Sequence, residues 1–573
     1  MNILGISSLD NISGATLVCD GEIVAAVAEE RMTRVKLQAG FPALAIDEVL
    51  RIGGLTPRDI DAVTYPFFPW QREASYFWRG FFRNTLSEAT TETDVRAKVG
   101  HLLRYGKWCV DCTNLHRRYG RELEIELARL GLQDKLHRVE HHQAHAASAY
   151  LTSGVPEALI VTLDWYGGGL AGSVSIGRPD GIVRVKDFHY PHSLGMFYAF
   201  VTAALNFKPA RHEGKIVGLA AFGDPSILYD RVRRRLVVRD GDFQFLSGMD
   251  MAFVRDLARR YPREHVAAAF QKVLEDVVQE LVLYYVRVTG MKRVVLAGGV
   301  AANVKMNQRV HEIDGVEHVY VHPAMGDEGT ATGGALDLAF RKGERKSLEL
   351  DHAYLGPEYP ESELKDAMES AGLTPRYHEN IEEVVARHIA EDKVVAHFDG
   401  RMEYGPRALG NRSILYQAKD PAVNDWLNKR LRRTEFMPFA PATAVEDADR
   451  CYHGVAGAEH TARFMTITFH CTEEMKRLSP AAVHVDGTAR PQLVHPEHNP
   501  RFYGILRAYK ALTGIPSIIN TSFNIHEEPI VCSPQDAVRT VQEGRLDILV
   551  MGHYLAELPP ARDENSEAPS RNP

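Results

Sequence analysis

One arrangement of strands and turns occurs twice in the first 190 residues, and it limits the fold more than any other feature of the sequence. An apolar strand at 2–8 is followed by two further strands that flank Asp20-Gly21. After residue 157 the same order returns as a strand that ends at Asp164, a triple glycine, and two strands around Asp180-Gly181. Asp-Gly between short apolar runs is a strong hairpin signal. The sequence therefore predicts two related lobes, each with a strand followed by a hairpin.

A third element of this kind is a glycine-rich junction between a strand and a helix. Arg293–Ala297 is an apolar strand, Gly298-Gly299 follow it, and the spacing of 300–310 is helical. Glycines at such a junction let backbone N–H groups approach an anion, although a tight turn without a ligand has the same sequence. Together with the repeat, the junction indicates an actin/hexokinase-like α/β fold. Gly298, Gly299 and Asn303 are the candidate nucleotide contacts.

The chain is too long for one hydrophobic core, since 573 residues correspond to about two to four domains of ordinary size. We predict a first domain over 1–345, a second α/β domain over 360–556, and a disordered tail over 557–573. An insertion at about 66–130, rich in aromatic residues and arginine, interrupts the first domain. Such mixtures can stack on bases or sugars, but they also form the core of a helical subdomain, which is the simpler interpretation.

Charge and cysteine content disfavour several classes of protein. The 67 basic and 75 acidic side chains give a net charge of −8, whereas nucleic-acid-binding proteins usually have a basic excess. The six cysteines are scattered, and Cys109 and Cys112 form a lone pair with no second pair to complete a zinc site. The N-terminus shows no cleavage pattern, and no apolar stretch reaches the length of a bilayer span. We expect a reduced, cytoplasmic protein without a membrane partner.

The sharpest local feature is a pair of histidines, His141 and His145, in an alanine-rich segment. In a helix they lie one turn apart on one face, where two imidazoles can bind a metal, although surface histidines also show this spacing. No glutamate lies between them, which disfavours a zinc protease. Asp164 ends a strand and Asp327 precedes a helical pattern, positions where aspartate is also a common cap. Two nitrogen and two oxygen donors suit Fe(II), Mn(II) or Zn(II).

A long ordered series of motifs makes the chain recognisable. In the first domain it reads HHQAHAASAY, SLGMFYAFVTAALNF, GKIVGLAAFGDP, LAGGVAANVKMN and PAMGDEGTATGGA. In the second it continues with GRMEYGPRALGNRSIL, PFAPAT, HVDGTARPQLV and NTSFN. This series resembles the NodU/CmcH-type O-carbamoyltransferase family over most of the chain, apart from the tail and most of the insertion.

The resemblance implies both a fold and a reaction. The first domain would be Kae1-like, within the actin/hexokinase class, and the second YrdC-like. ATP and carbamoyl phosphate would be co-substrates that form a carbamoyl-adenylate, and the carbamoyl group would pass to a hydroxyl of a small natural product or sugar. Iron(II) would be the metal, with Mn or Zn as alternatives and Mg as a further candidate ion beside the co-substrates, and a homodimer is one assembly that relatives adopt. The implied metal ligands are His141, His145, Asp164 and Asp327.

The co-substrates are anions, and guanidinium groups are the expected partners of phosphate. Lys36 matches a basic position that faces the nucleotide in relatives. The candidate anion, amide and ribose contacts in the second-domain motifs are Arg401, Arg407, Arg412, Arg432, Arg490, Asn520 and Asn524.

Departures from the family pattern bear on the chemistry. Asn11 occupies the hairpin position where relatives carry a histidine proposed to deprotonate the acceptor, and an amide cannot act as a base at neutral pH. His142 or a metal-bound hydroxide would then be needed. Segment 432–438 lacks two expected cations, and Trp165-Tyr166 replace small residues. Two alternatives therefore stay open: a catalytically altered nucleotide-binding relative, and carbamoyl-type transfer to a nucleic acid.

Overall fold

The computed structural model describes residues 1–88, 95–246, 249–344, 349–432 and 436–559. The first lobe is a sheet flanked by helices, and the insertion within it forms two long helices. Its strands are β1 (Asn2–Ile6), β2 (Gly14–Cys19), β3 (Glu22–Ala28), β4 (Ala62–Tyr65) and β5 (Leu136–Arg138). Its helices are α1 (Glu29–Thr33), α2 (Ala43–Gly53), α3 (Trp70–Glu88) and α4 (Val95–Leu130).

The second lobe repeats the sheet and carries more helices. Its strands are β6 (Ala158–Gly167), β7 (Leu170–Arg178), β8 (Gly181–His189), β9 (Leu236–Arg239), β10 (Asp242–Phe245), β11 (Arg293–Ala297) and β12 (His318–Val321). Its helices are α5 (His141–Leu151), α6 (Leu194–Ala204), α7 (Glu213–Ala220), α8 (Tyr229–Arg233), α9 (Met251–Arg260), α10 (Arg263–Thr289), α11 (Val304–His311) and α12 (Gly329–Arg341).

The two lobes have the same strand order, which confirms the predicted duplication. The first sheet runs β3-β2-β1-β4-β5 and the second runs β8-β7-β6-β11-β12. In each lobe the first strand pairs antiparallel with the hairpin and parallel with the fourth strand. Asp20 and Gly21 form the first hairpin turn, both with positive φ. This duplicated topology is the actin/hexokinase-like fold that the sequence predicts.

Helices α5 and α12 pack against each other at the centre of the two-lobed domain. A Cβ on Gly333 of α12 would collide with the carbonyl of Ala144 in α5, and a Cβ on Gly5 of β1 would collide with the carbonyl of Ala331. These close approaches require glycine. The histidine pair at the start of α5 therefore lies beside both sheets, between the lobes.

The remaining chain forms an α/β domain on a mixed sheet, as predicted. Among the described residues its strand order is β13-β23-β22-β14-β15-β21-β16-β20, with a small sheet β17-β18-β19 beside it. These strands are β13 (Arg376–Tyr377), β14 (Val395–Phe398), β15 (Arg412–Gln417), β16 (Ala440–Ala444), β17 (Tyr452–His453), β18 (Phe469–Cys471), β19 (Thr488–Ala489), β20 (Gln492–Val494), β21 (Ser517–Ser522), β22 (Ile548–Met551) and β23 (Tyr554–Glu557). The helices are α13 (Glu361–Ser370), α14 (Ile381–Ala390), α15 (Val423–Arg430), α16 (Ala448–Cys451), α17 (Glu459–Ala462), α18 (Glu473–Leu478), α19 (Pro500–Thr513) and α20 (Pro534–Gly544).

Three further expectations concern the insertion, the membrane and the tail. The insertion forms helices whose aromatic side chains pack together, and Cys109 and Cys112 are buried in that cluster as free thiols. In the described part of the chain, no helix has both the length and the apolarity needed to cross a bilayer. The tail prediction falls largely outside the described residues, which end at 559.

Candidate metal centre and second-domain cavity

Four donor atoms from the three predicted segments converge between the lobes. The Nε2 atoms of His141 and His145 are 3.1 Å apart. Asp164 Oδ2 lies 3.4 Å from the first of these nitrogens and 3.3 Å from the second. Asp327 Oδ1 lies 3.7 and 3.6 Å from them. All four ligand atoms lie within 4.8 Å of one another, which is close enough to share one cation.

The local sequence explains how the histidines reach this position. Glu140 caps α5, because its carboxylate accepts the backbone N–H groups of His142 and Gln143 at 3.0 and 2.8 Å. Arg184 from β8 holds the same carboxylate at 2.6 Å. The helix therefore begins at His141, and its fourth following residue completes the pair on one face.

Asp164 is fixed by the irregular end of β6 and by the glycine junction after β11. The pairing of β6 with β7 shifts register after Leu163, so Asp164 lies at the start of the irregular stretch. Gly298 has a φ of +90°, and a Cβ there would collide with the carbonyl of Leu163. The next residue, Gly299, donates its N–H to Asp164 Oδ1 at 3.3 Å. The sequence predicts that these two glycines contact a nucleotide. In the structure they pack against Leu163 and Asp164 and hold the Asp164 carboxylate in place.

The charges in this cluster balance through proton sharing. Burial lowers the pKa of His145, but hydrogen bonds to Asp164 and Asp327 raise it to about 9. Burial likewise opposes ionisation of Asp164, and the two histidines outweigh it, so the pKa of that carboxyl is well below its usual range. Burial and the charge of Asp164 raise the pKa of Asp327. The set attracts a cation, and its nitrogen and carboxylate donors fit Fe(II), Mn(II) or Zn(II).

Metal binding at this cluster is expected to depend on pH. Because His145 binds a proton below about pH 9, a metal ion must displace that proton to reach the imidazole nitrogen. Affinity for Mn²⁺ should therefore rise by about tenfold per pH unit as the pH approaches 9 from neutrality. Calorimetric titration in two buffers of different ionisation enthalpy measures the released proton. An affinity that is independent of pH would contradict this protonation state.

The three predicted catalytic residues lie at different places. His142 is fully buried and points to β6, with its Nδ1 3.2 Å from Thr162 Oγ1, and burial lowers its pKa to about 3. The His142 ring therefore does not point toward the four candidate ligand atoms. Asn11 is half-buried in the turn after β1, and the neighbouring Asp10 accepts the Tyr166 hydroxyl at 3.2 Å. Lys36 is half-buried in the turn that follows α1.

The insertion, for which the sequence predicts a helical core of its own, also forms one wall of the candidate metal centre. The Phe67 ring stacks on His141 with centroids 4.8 Å apart, and His116 of α4 packs edge-on against the same ring at 4.7 Å. Burial lowers the pKa of His116 to about 4. Glu73 of α3 is 1% exposed, and burial raises its pKa to about 7. In the sequence, His116 and Glu73 stand out only as polar residues within an aromatic-rich segment.

A second concave region lies where the second domain meets α7, α10 and α11, with a volume of about 170 Å³. Lys305 Nζ and Asp486 Oδ2 form an ion pair of 2.7 Å in its wall. Gln271 also lines it and accepts a hydrogen bond of 2.8 Å from the predicted contact Asn303. The cationic groups that line this cavity are Lys272, Lys305, Arg309 and Arg490. Two carboxylates, Glu275 and Asp486, also line it, and Glu275 lies 3.5 Å from Arg309.

Two arginines that were candidate anion contacts donate hydrogen bonds to backbone carbonyls in the structure. Arg412 is fully buried, lies 3.6 Å from the Phe398 ring centroid, and donates to four backbone carbonyls. The acceptors are Asp399 at 2.7 Å, Gly400 at 3.1 Å, Asn411 at 3.1 Å and Pro357 at 3.2 Å. Arg401 likewise donates to the carbonyls of Val24, Leu355 and Gly356 at 2.9, 2.6 and 3.2 Å. The predicted phosphate contact is replaced by a structural role, because these guanidinium groups satisfy buried carbonyls.

The other second-domain candidates are spread over the domain. Arg407 is half-buried, two residues after Gly405, whose carbonyl accepts a 2.9 Å hydrogen bond from Arg31. Arg432 is exposed, and residues 433–435 of the altered segment lie outside the described residues.

The two asparagines have contacts inside the domain. Asn520 is buried and donates to Gln492 at 2.7 Å. Asn524 donates to the carbonyl of Glu528 at 2.7 Å and so holds its own loop. Among the predicted second-domain contacts that the structure describes, Arg490 is the one that lines this cavity.

Comparisons with known proteins agree over both domains. The family model described as the carbamoyltransferase N-terminus matches residues 2–336, and the one described as the carbamoyltransferase C-terminus matches 386–557. An uncharacterized protein of Synechocystis is 32% identical over 97% of this chain and 96% of its own length. Nodulation protein NolNO of Sinorhizobium fredii is 31% identical over 96% of this chain and 79% of its own.

Solved structures resemble the chain only in part. HypF in its phosphate- and nucleotide-bound form overlays with a TM-score of 0.33 at 12% identity, over 61% of this chain and 47% of that chain. The assignment of the fold therefore rests on the strand order described above.

Proposed function

The chain belongs to the carbamoyltransferase family, and from that premise we propose that it is an ATP- and carbamoyl-phosphate-dependent O-carbamoyltransferase. Carbamoyl phosphate, ATP and one water molecule react in the second domain to give carbamoyl-adenylate, phosphate and pyrophosphate. The first domain then passes the carbamoyl group to a hydroxyl of a small natural product or sugar, and AMP and the hydroxyl proton leave. One ATP is consumed per carbamoyl group transferred, in the activation step.

The observation that supports this proposal most is the buried cluster of His141, His145, Asp164 and Asp327 within the N-terminal family match. Bound there, Fe(II) would supply Lewis acidity toward phosphate or acceptor oxygen. The four side chains would hold and orient the ion, and three of them are buried. The Phe67 ring keeps the His141 imidazole in place from the other side.

The cationic cavity is the second support. Lys305, Arg309 and Arg490 can neutralise the phosphates of ATP and of the leaving pyrophosphate, because charge-assisted hydrogen bonds favour developing negative charge. Gly218 of α7 lies so close to Met437 that a Cβ would approach its nitrogen to 2.6 Å. The two domains are therefore in direct contact beside the cavity.

The test is exchange of labelled pyrophosphate into ATP, followed by mass spectrometry of small molecules that gain a carbamoyl group in an extract. We expect exchange that requires carbamoyl phosphate, and a carbamoylated hydroxyl compound when Fe(II) is present. ATP binding without any exchange would contradict the proposal and favour a catalytically altered nucleotide-binding relative. A salt-sensitive shift of RNA with carbamoyl incorporation would favour a nucleic-acid acceptor instead.

A further inference from the structure

A second group of metal-ligating side chains lies far along the chain from the first, in the turn between β20 and α19. The backbone N–H groups of His498 and Asn499 both donate to the carbonyl of His495, at 3.3 and 3.1 Å. This turn sets the two imidazole rings side by side, with centroids 5.2 Å apart. Asn499 then caps α19, accepting the N–H of Phe502 at 3.0 Å. The turn is therefore held at its helix end by a defined cap.

The ligand atoms are spaced as a small cation requires. His495 Nδ1 and Glu497 Oε1 are 3.3 Å apart, and one ligand atom from each of His495, Glu497 and His498 lies within 4.8 Å of the others. Asp351 Oδ1 lies 3.8 Å from His498 Nε2. In a tetrahedral zinc site with bonds of about 2.0 to 2.1 Å, neighbouring ligand atoms are about 3.3 Å apart. His495 Nδ1 and Glu497 Oε1 are already at that distance, and Asp351 Oδ1 lies somewhat farther from His498 Nε2.

Charged groups of both signs lie around the histidines. The carboxylates are those of Glu349, Asp351 and Glu497, and the Arg463 guanidinium lies 3.4 and 3.8 Å from the first two. Burial, and next the charge of Arg463, lower the pKa of His495. The same two causes lower the pKa of His498. An imidazole ring in its neutral form offers a lone pair to a metal.

We propose that His495, Glu497 and His498 bind a zinc ion, with Asp351 as the fourth ligand. Two imidazoles and two carboxylates suit this borderline metal. The site would attach the segment between α12 and α13 to the second domain, where the Tyr354 hydroxyl already accepts a 2.9 Å hydrogen bond from Asn499. Its role is structural and independent of the carbamoyl-transfer chemistry.

The test is the zinc content of the full-length protein after removal of metal and titration with ZnCl₂. Because the cluster at α5 is also proposed to bind a divalent ion, the readout is a difference: His495→Ala/His498→Ala should bind one equivalent less than the unchanged protein. Zinc should raise the thermal midpoint of the unchanged protein by an increment that this double variant loses. Both histidines lie near the surface, so the variant is expected to fold.

His352→Ala is the matched control, because His352 lies one residue from Asp351 but outside the donor set. It should keep the full zinc count. Equal zinc binding by the unchanged protein and the double variant would overturn the proposal. So would the loss of one equivalent in the control as well as in the double variant.

Discussion

Replacing His145 with alanine is expected to abolish carbamoyl transfer while leaving carbamoyl-adenylate formation within a few-fold of the unchanged enzyme. The substitution removes one of four donors, and the two carboxylates then face each other with less positive charge between them. Loss of a Lewis acid is worth several kcal/mol, so the transfer rate should fall on the order of 10³-fold. The cavity that would form the adenylate is lined by other elements, α7, α10, α11 and the second domain.

The measurement separates the two half-reactions. Pyrophosphate exchange reports activation, and carbamoylated product reports transfer. Asp164→Asn, which keeps the shape of the side chain but removes its charge, should give the same separation as His145→Ala. His137→Ala replaces an exposed histidine of β5 and should leave both half-reactions unchanged. If both half-reactions vanish in His145→Ala although the protein stays folded, the assignment of transfer to the first domain is wrong.

The features that sequence predicted well are those that neighbouring residues determine. An i, i+4 histidine pair lies on one helix face whatever surrounds the helix, and Asp20-Gly21 makes a hairpin turn by its own backbone preference. The duplicated strand order followed from two such hairpins. Asp164 and Asp327 are candidate ligands by residue type but also possible caps, and the family resemblance is what implies that they join the histidines.

The assignments that sequence could not make depend on tertiary packing. Arg412 and Arg490 both lie in strongly patterned motifs, yet one donates to four buried carbonyls while the other lines a cavity. Whether an arginine donates to buried carbonyls or lines a cavity is determined by residues such as Pro357 and Asp399, which belong to separate segments of the chain. For the same reason the sequence predicts a separate helical core for the insertion, whereas the Phe67 ring within it packs on His141 of α5.

Arg490→Ala gives the second large effect that we expect, and it falls on activation. Arg490 follows β19 and lines the cavity together with Lys305 and Arg309. A hydrogen bond to a charged group contributes about 1.5 to 3 kcal/mol, so losing its phosphate contacts should lower carbamoyl-phosphate-dependent exchange by about 10- to 100-fold. Transfer should fall in parallel, because no activated carbamoyl group reaches the first domain. Metal binding at α5 should not change.

Two companion variants show whether the guanidinium group itself is responsible. Arg490→Lys keeps the charge but loses the planar pair of donors, so exchange should recover only in part. Arg477→Ala removes an exposed arginine of α18 in the same domain and should behave like the unchanged enzyme. Unaltered exchange in Arg490→Ala would place activation elsewhere than this cavity. A drop in metal binding would instead mean that the substitution acts through the packing between the domains, since the donor cluster has no residue in the second domain.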